Sequence, residues 1–183
     1  MSDVAWPVIV VSQCLGFAAV RYNGAIIDAP FVQQLAAVTD IIEVCPEVGI
    51  GLGVPRPPIR MQRARGGIAL MQPSTGRDIT RDMHAYASTF LDTLTHVDGF
   101  ILKARSPSCG TGGVNVNDGD GMDVAETAAG RFASAVLARF PEVAVAEELE
   151  LRDHGVRTAF LDRVYASASR RAGLRLAPPP DLG

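Results

Sequence analysis

The chain alternates short apolar runs with longer segments in which apolar residues recur every three or four positions. Short runs rich in branched and apolar residues are typical of strands in a buried parallel sheet. Five runs predict strands, at residues 7–12, 40–44, 68–71, 99–103 and 143–146.

Apolar residues at three- and four-residue intervals predict amphipathic helices between these strands. The predicted helices lie at residues 30–38, 81–97, 122–140 and 157–168. Glycine and proline interrupt two further stretches, residues 46–65 and 110–121, and predict long irregular loops there. Such loops are often functional in compact domains. The final residues, with a proline run at 178–180, predict a disordered tail or a docking arm.

This alternation predicts a single-domain, Rossmann-like α/β fold with a parallel or mostly parallel sheet and helices on both faces. We assign residues 1–150 to the main domain and residues 151–183 to a C-terminal helix and flexible tail. Ligands of such sheets bind beyond the carboxyl ends of the strands. Cys14, Cys45 and Cys109 follow three different predicted strands. We therefore expect these three cysteines to meet at one site.

Composition narrows the possible partners and location. The chain has 183 residues, 48% of them hydrophobic, and a formal net charge of −3, which does not favour nucleic acid as a partner. No apolar run is long enough to cross a bilayer, and the N-terminus lacks the basic start of a signal peptide. We expect a cytoplasmic protein, monomeric or homodimeric, that acts on a small molecule.

Three cysteines allow several kinds of site. An odd number does not form a complete set of disulfides. Structural zinc sites usually contain close cysteine pairs, which are absent, so zinc would need a histidine from His84, His96 or His154. An iron–sulfur cluster accepts widely spaced ligands, and three thiolates on a four-iron cluster leave one iron open. A thiol-based redox enzyme is a third interpretation.

Groups that can transfer protons lie close to the cysteines along the chain. Glu47 follows Cys45 by two residues, with Glu43 on the preceding strand as the alternative carboxylate. Ser106 and Ser108 precede Cys109, although serines in such turns more often bond the backbone. Four arginines between residues 56 and 65 predict either an anion site or a solvated loop.

The segments around the cysteines resemble the DUF523 family, whose members include TudS-type thiouracil desulfidases. The resemblance covers approximately residues 8–148 and rests on three motifs in the same order. These are Ser12-Gln13-Cys14-Leu15 with Arg21-Tyr22-Asn23-Gly24, Cys45-Pro46-Glu47 with Pro55-Arg56-Pro57-Pro58, and Lys103 with Ser106-Pro107-Ser108-Cys109-Gly110. Many relatives carry a further cysteine where this chain has Val20, so the resemblance does not make that thiol a ligand.

The resemblance implies a [4Fe–4S] cluster held by Cys14, Cys45 and Cys109, with one iron open. It implies hydrolytic, non-redox replacement of the sulfur of a thiolated pyrimidine, with release of hydrogen sulfide. The candidate substrates are 4-thiouracil, 4-thio-UMP and 2-thiouracil. We expect Glu47, Ser106 and Ser108 to be catalytic, and we expect substrate to be bound by Arg21, Arg56, Lys103, Gly112 and Gly113. The alternative is a non-catalytic iron–sulfur or zinc protein that acts as a carrier or sensor.

Overall fold

Strands and helices alternate through most of the computed structural model, which describes residues 6–119, 123–174, 176, 177, 179 and 182. The strands are β1 (Val8–Ser12), β2 (Asp40–Val44), β3 (Arg60–Ala64), β4 (Gly67–Gln72), β5 (Arg77–Asp78), β6 (Gly99–Leu102), β7 (Val114–Asn117), β8 (Asp123–Ala128) and β9 (Ala144–Glu147). The α-helices are α1 (Pro30–Leu35), α2 (Pro46–Gly49), α3 (Thr80–Thr93), α4 (Arg131–Arg139) and α5 (His154–Ala172).

A parallel sheet with the order β2-β1-β6-β9 lies at the centre of the fold. Every neighbouring pair in it is parallel, and Val10 of β1 pairs with Ile42 on one side and Phe100 on the other. All five residues of β1 are buried, as expected for a central strand covered on both faces. The predicted α/β class and the parallel sheet are confirmed.

Helices cover both faces of this sheet. One face contributes buried residues that pack with α1 and α5, including Ile9, Val11, Ile101, Leu35 and Val164. The other face packs with α3 and α4 through residues that include Val10, Phe100, Leu102, Met83 and Phe132. Consecutive residues of β1 and β6 enter opposite clusters because side chains alternate along a strand.

A second sheet, with the order β5-β4-β3-β7-β8, was not predicted as such. Only residues 68–71, within β4, were expected to form a strand. The loops predicted over residues 46–65 and 110–121 instead contain helix α2 and strands β3 and β7. Met61, Leu70 and Val116 from this sheet are buried in the same cluster as α3 and α4. These strands obtain their hydrogen bonds from distant partners, which local glycine and proline content does not reveal.

The helix predicted over residues 122–140 is wrong in its first half. Strand β8 lies there and pairs antiparallel with β7, with Val114 opposite Ala128. Helix α4 begins only at Arg131, after Gly130. Pairing with β7 provides the backbone hydrogen bonds of β8, and this tertiary pairing overrides the helix propensity of the alanines. Residue 122 lies outside the described residues.

The C-terminal segment packs back onto the main domain. Helix α5 is longer than the predicted 157–168, and the carboxylate of Asp153 caps it by accepting from the N–H of Val156. The predicted tail includes residues 178, 180, 181 and 183, which lie outside the described residues; Leu182 packs against the α1–α5 cluster. In the ranges that the structure covers, no helix is both long and apolar enough to cross a membrane.

Candidate active site

The three cysteines converge because their strands are neighbours. Cys14 follows β1, Cys45 follows β2, and Cys109 lies on the loop after β6; these strands occupy adjacent places in the parallel sheet. Their carboxyl ends therefore meet at one edge, where ligands of parallel sheets bind. A cavity of about 330 Å³ opens there, and all three cysteines line it.

Burial raises the pKa of all three thiols. For Cys14, burial is the main cause, the neighbouring Cys45 adds to it, and the pKa rises to about 11. Burial also raises the pKa of Cys45, which backbone amides of α2 partly offset. Cys109 is 5% exposed, and burial raises its pKa strongly against the opposing effect of the nearby Ser12 hydroxyl. The free thiols thus carry protons at neutral pH, and a metal that binds them must displace these protons.

The donor set fits an iron–sulfur cluster better than a single zinc ion. The three cysteines line one cavity, and Cys14 and Cys45 both raise the pKa of Cys109 electrostatically. Yet among the described residues no three His, Cys, Asp or Glu side chains are arranged to hold one metal ion. None of the three histidines lines the cavity. Cysteine thiolates on widely separated loops are ligands that an iron–sulfur cluster can use.

Glu47 lies at the centre of a chain of hydrogen bonds beside the cysteines. Its Oε1 accepts from the Ser108 hydroxyl at 2.7 Å, and its Oε2 accepts from Arg56 Nε at 2.8 Å. The Oγ atoms of Ser106 and Ser108 are 3.0 Å apart, and Ser106 Oγ also accepts from the N–H of Cys109 at 3.1 Å. All four side chains line the cavity. Glu43, the alternative carboxylate, is exposed on β2 and does not.

The number of hydroxyl protons sets the direction of this chain. A serine hydroxyl carries one proton, and Ser108 donates its proton to Glu47. Ser106 must therefore donate to Ser108, while its own oxygen accepts from backbone N–H groups. The resulting direction is Ser106 to Ser108 to Glu47. Because Ser108 is only 1% exposed and Ser106 is half-buried, Ser106 is the more accessible end.

Arg56 and Lys103, both predicted to bind substrate, are engaged by protein groups. Arg56 is 6% exposed and donates to Glu47 and, at 2.8 Å, to the carbonyl of Gly53. Lys103 Nζ donates to Glu148 Oε1 at 2.6 Å and to the carbonyl of Ala104 at 2.7 Å. Both still line the cavity. Each charge is already paired with a carboxylate, Arg56 with Glu47 and Lys103 with Glu148.

The N-terminus of α4 holds the loop that carries Ser106, Ser108 and Cys109. The carbonyl of Ser108 accepts from the N–H groups of Phe132 and Ala133, and the carbonyl of Pro107 accepts from Arg131. Gly130 lies so close that a Cβ there would approach the Ser108 carbonyl carbon and oxygen to 2.5 Å. Only glycine allows this approach, so α4 and the loop form one rigid unit.

Two cations lie along the cavity wall without a carboxylate partner among the described residues. Arg21 lines the cavity and places its guanidinium carbon 5.7 Å from the ring centroid of Tyr22. Arg105 also lines the cavity, is exposed, and has a φ of 57°. A non-glycine residue in this left-handed region costs roughly 1–3 kcal/mol. Gly112 and Gly113, predicted to bind substrate, do not line the cavity, and a Cβ at either position would meet no atom within 4 Å.

Sequence reasoning missed three groups that shape the site. Ser12 accepts from the N–H of Lys103 at 3.0 Å, and Glu148 binds both Lys103 and, through Oε2, the N–H of Ala104. Arg105 was overlooked because a left-handed backbone at arginine has no sequence signal. Ser12 ends the strand predicted at residues 7–12 and Glu148 lies two residues beyond the strand predicted at 143–146, and these positions were a usable signal.

The fold and the cavity together define an α/β protein with three cysteine thiols, a carboxylate and two hydroxyls at one sheet edge. The family model described as 2-thiouracil desulfurase matches residues 9–148, and the chain belongs to this family. This confirms the resemblance found in the motifs.

Two similar proteins are matched by this chain over nearly their whole lengths. One is the solved structure of the [4Fe–4S]-dependent thiouracil desulfidase TudS, a DUF523 protein; it is 28% identical, has a TM-score of 0.60, and the match covers 82% of this chain and 97% of that one. The other is YbbK of Bacillus subtilis (strain 168), an uncharacterized protein. It is 29% identical over 152 residues, which cover 79% of this chain and 98% of YbbK.

Proposed function

We propose that this protein is a desulfidase that replaces the sulfur of a thiolated pyrimidine with oxygen from water. The C=S bond is broken, a C=O bond forms, and hydrogen sulfide leaves, so no net electron transfer is needed. The observation that carries this proposal is the convergence of Cys14, Cys45 and Cys109 with Glu47 in one cavity. Membership of the 2-thiouracil desulfurase family and the likeness to TudS support it.

Cys14, Cys45 and Cys109 would hold a [4Fe–4S] cluster with one iron open. When bound, the cluster supplies a Lewis-acidic iron with an affinity for sulfur, which polarises the C=S bond. The chain's own groups then have to activate water, move its proton and hold the ring.

Glu47 is the group best placed to accept a proton from water. Each of its oxygens accepts one side-chain hydrogen bond, from Ser108 or from Arg56. A carboxylate oxygen has two lone pairs, so acceptor capacity remains. Arg56 orients the carboxylate through the 2.8 Å hydrogen bond from its Nε to Glu47 Oε2. A base within hydrogen-bond reach of the attacking water typically contributes 10²–10⁴-fold to the rate.

Ser106 and Ser108 extend the reach of Glu47 along the wall. A proton taken from water at Ser106 can pass to Glu47 if Ser106 and Ser108 each give up one proton and gain another.

Lys103 and Glu148 form an ion pair that holds the start of the Ser106–Cys109 loop. We propose that Lys103 acts on the substrate through its charge, and that Arg21 contacts the substrate from the wall after β1.

We propose a small thiolated pyrimidine as the substrate, with 4-thiouracil, 4-thio-UMP and 2-thiouracil as candidates, and a cytoplasmic monomer or homodimer as the working form. The net charge of −3 supports a small molecule over nucleic acid. The glycine-rich segment holding Gly112 and Gly113 is a weaker candidate for substrate binding, since neither glycine lines the cavity.

Anaerobic purification followed by iron, sulfide and zinc analysis tests the proposal. We expect about four irons per chain and, on addition of 4-thiouracil, equal amounts of uracil and hydrogen sulfide. A protein with one zinc and no iron would contradict the cluster. A full cluster without turnover of any candidate substrate would instead indicate a carrier or sensor.

A further inference from the structure

We propose that Arg105 is a specificity-determining residue that binds an anionic group carried by the substrate outside the pyrimidine ring. A phosphate monoester is the group that this position suits, so Arg105 would favour thiolated nucleotides over nucleosides. The inference rests on the proposed desulfidase function, and its test separates the two.

Arg105 is the cavity cation most available to a ligand. Of the four cations that line the cavity, Arg56 is engaged by Glu47 and Lys103 by Glu148. Arg21 lies over the neighbouring tyrosine ring. Arg105 is exposed and has no hydrogen bond or ion pair within the part of the chain that the structure describes.

The backbone at Arg105 gives an independent reason to assign it a function. Among the described residues, Arg105 is the one non-glycine residue with a positive φ, at 57°. Glycine or asparagine would adopt this conformation at lower cost. The flanking residues hold it in place, since Ala104 is bound by Glu148 and the Ser106 side chain accepts from two backbone N–H groups. Strain maintained in this way is concentrated at sites that bind ligands.

The position of Arg105 indicates which part of the substrate it meets. The thiocarbonyl sulfur must approach the thiols, and Cys109 among them is buried. Arg105 is exposed at the wall of the same cavity, so it faces the part of a ligand that extends toward solvent. A planar guanidinium donates two parallel hydrogen bonds to a phosphate. A nucleotide phosphate extends from the ring in this manner, and a free base has no such group.

The test compares cluster-loaded wild type with Arg105→Asn and with Arg65→Asn as a matched control. Asparagine tolerates the left-handed backbone, so Arg105→Asn removes the cation while the turn is kept. Arg65 is an exposed arginine that does not line the cavity. We measure kcat/KM for 4-thio-UMP and for 4-thiouridine. We expect the ratio between them to fall about five- to tenfold in Arg105→Asn and to stay at the wild-type value in Arg65→Asn.

Two further readouts do not depend on turnover. Calorimetry of the holoenzyme with UMP, uridine and inorganic phosphate should show that UMP binds tighter than the other two, and that Arg105→Asn loses this preference. The melting temperature of Arg105→Asn should be equal to or above that of wild type, because the left-handed conformation is less costly for asparagine.

The possible outcomes distinguish a failure of the Arg105 proposal from a failure of the proposed desulfidase function. An unchanged substrate ratio in an active Arg105→Asn enzyme overturns the role of Arg105 and leaves the desulfidase intact. Inorganic phosphate that binds as tightly as UMP overturns it as well, because the anion site is then not linked to the ring. If the holoenzyme desulfidates nothing, the proposed function fails, and a UMP preference that disappears in Arg105→Asn still supports the anion site.

Discussion

At the scale of single residues, the two oxygens of the Glu47 carboxylate have different hydrogen-bond partners. One oxygen faces a neutral hydroxyl and the other a buried guanidinium. The hydrogen bond from Arg56 Nε at 2.8 Å therefore fixes the orientation of the Glu47 carboxylate. The sequence indicated Glu47 from its distance to Cys45, but the engagement of Arg56 could not be read from a cluster of four arginines.

Replacement of Glu47 by Gln tests its role as the base. We expect kcat for 4-thiouracil to fall about 100-fold or more, since an amide cannot accept a proton from water at neutral pH. Iron and sulfide content should remain close to wild type. Glu43→Gln, a matched change at an exposed position two residues before Cys45, should leave kcat unaltered. Equal losses in both variants would remove Glu47 as the base.

The serine relay gives a prediction about additivity. Ser106→Ala and Ser108→Ala should each lower kcat roughly tenfold or more, because either change breaks the path to Glu47. The double variant should be no slower than the slower single variant, since residues of one network act as a unit. Steady-state kinetics of the three proteins measures this. Losses that multiply would show that the two hydroxyls act independently.

At the scale of elements, the cysteine loop and α4 depend on one glycine. Gly130→Ala places a Cβ about 2.5 Å from backbone atoms of Ser108, which cannot move as a flexible side chain can. We expect a lower melting temperature and less than half of the wild-type iron content after reconstitution. Gly66→Ala is the control, because a Cβ there meets nothing within 4 Å. Wild-type iron content in Gly130→Ala would show that the loop adapts.

Elements with strong local patterns were predictable, and elements that depend on partners were not. The predicted strands that became β1, β2, β6 and β9 have apolar-rich sequences, and such runs need no particular neighbour to be recognised. Strands β3, β7 and β8 are partly polar. They form strands because they pair with other strands, as Asn115 of β7 pairs with Thr127 of β8. Only the folded chain brings these partners together.

At the scale of the whole molecule, Asp98 ties the C-terminal helix to the sheet. Its carboxylate is buried and accepts from the N–H of Val8 at 2.9 Å, from the Ser167 hydroxyl at 2.8 Å and from Arg171 at 2.8 Å. These contacts join the starts of β1 and β6 to α5, which lies beyond the region matched by the family model.

Asp98→Ala should therefore lower the free energy of unfolding by about 2–4 kcal/mol, because three donors lose their common acceptor. Urea denaturation measures this loss. Asp92→Ala, at an exposed position of α3, should change the free energy by less than about 0.5 kcal/mol. A similar small effect at Asp98 would mean that α5 is held by its apolar contacts alone.

The sequence by itself determined the class of fold, the central strands and the place of the three cysteines beyond them. The physical reason is that buried strands appear in a sequence as apolar runs, and each cysteine follows such a run. Tertiary structure alone decided which charges are engaged. Glu47 meets Ser108 across 61 positions and Lys103 meets Glu148 across 45, and such pairings follow from the packing of strands and loops. The same packing left Arg105 at the cavity wall with a left-handed backbone and with no ion-pair partner in the described part of the chain.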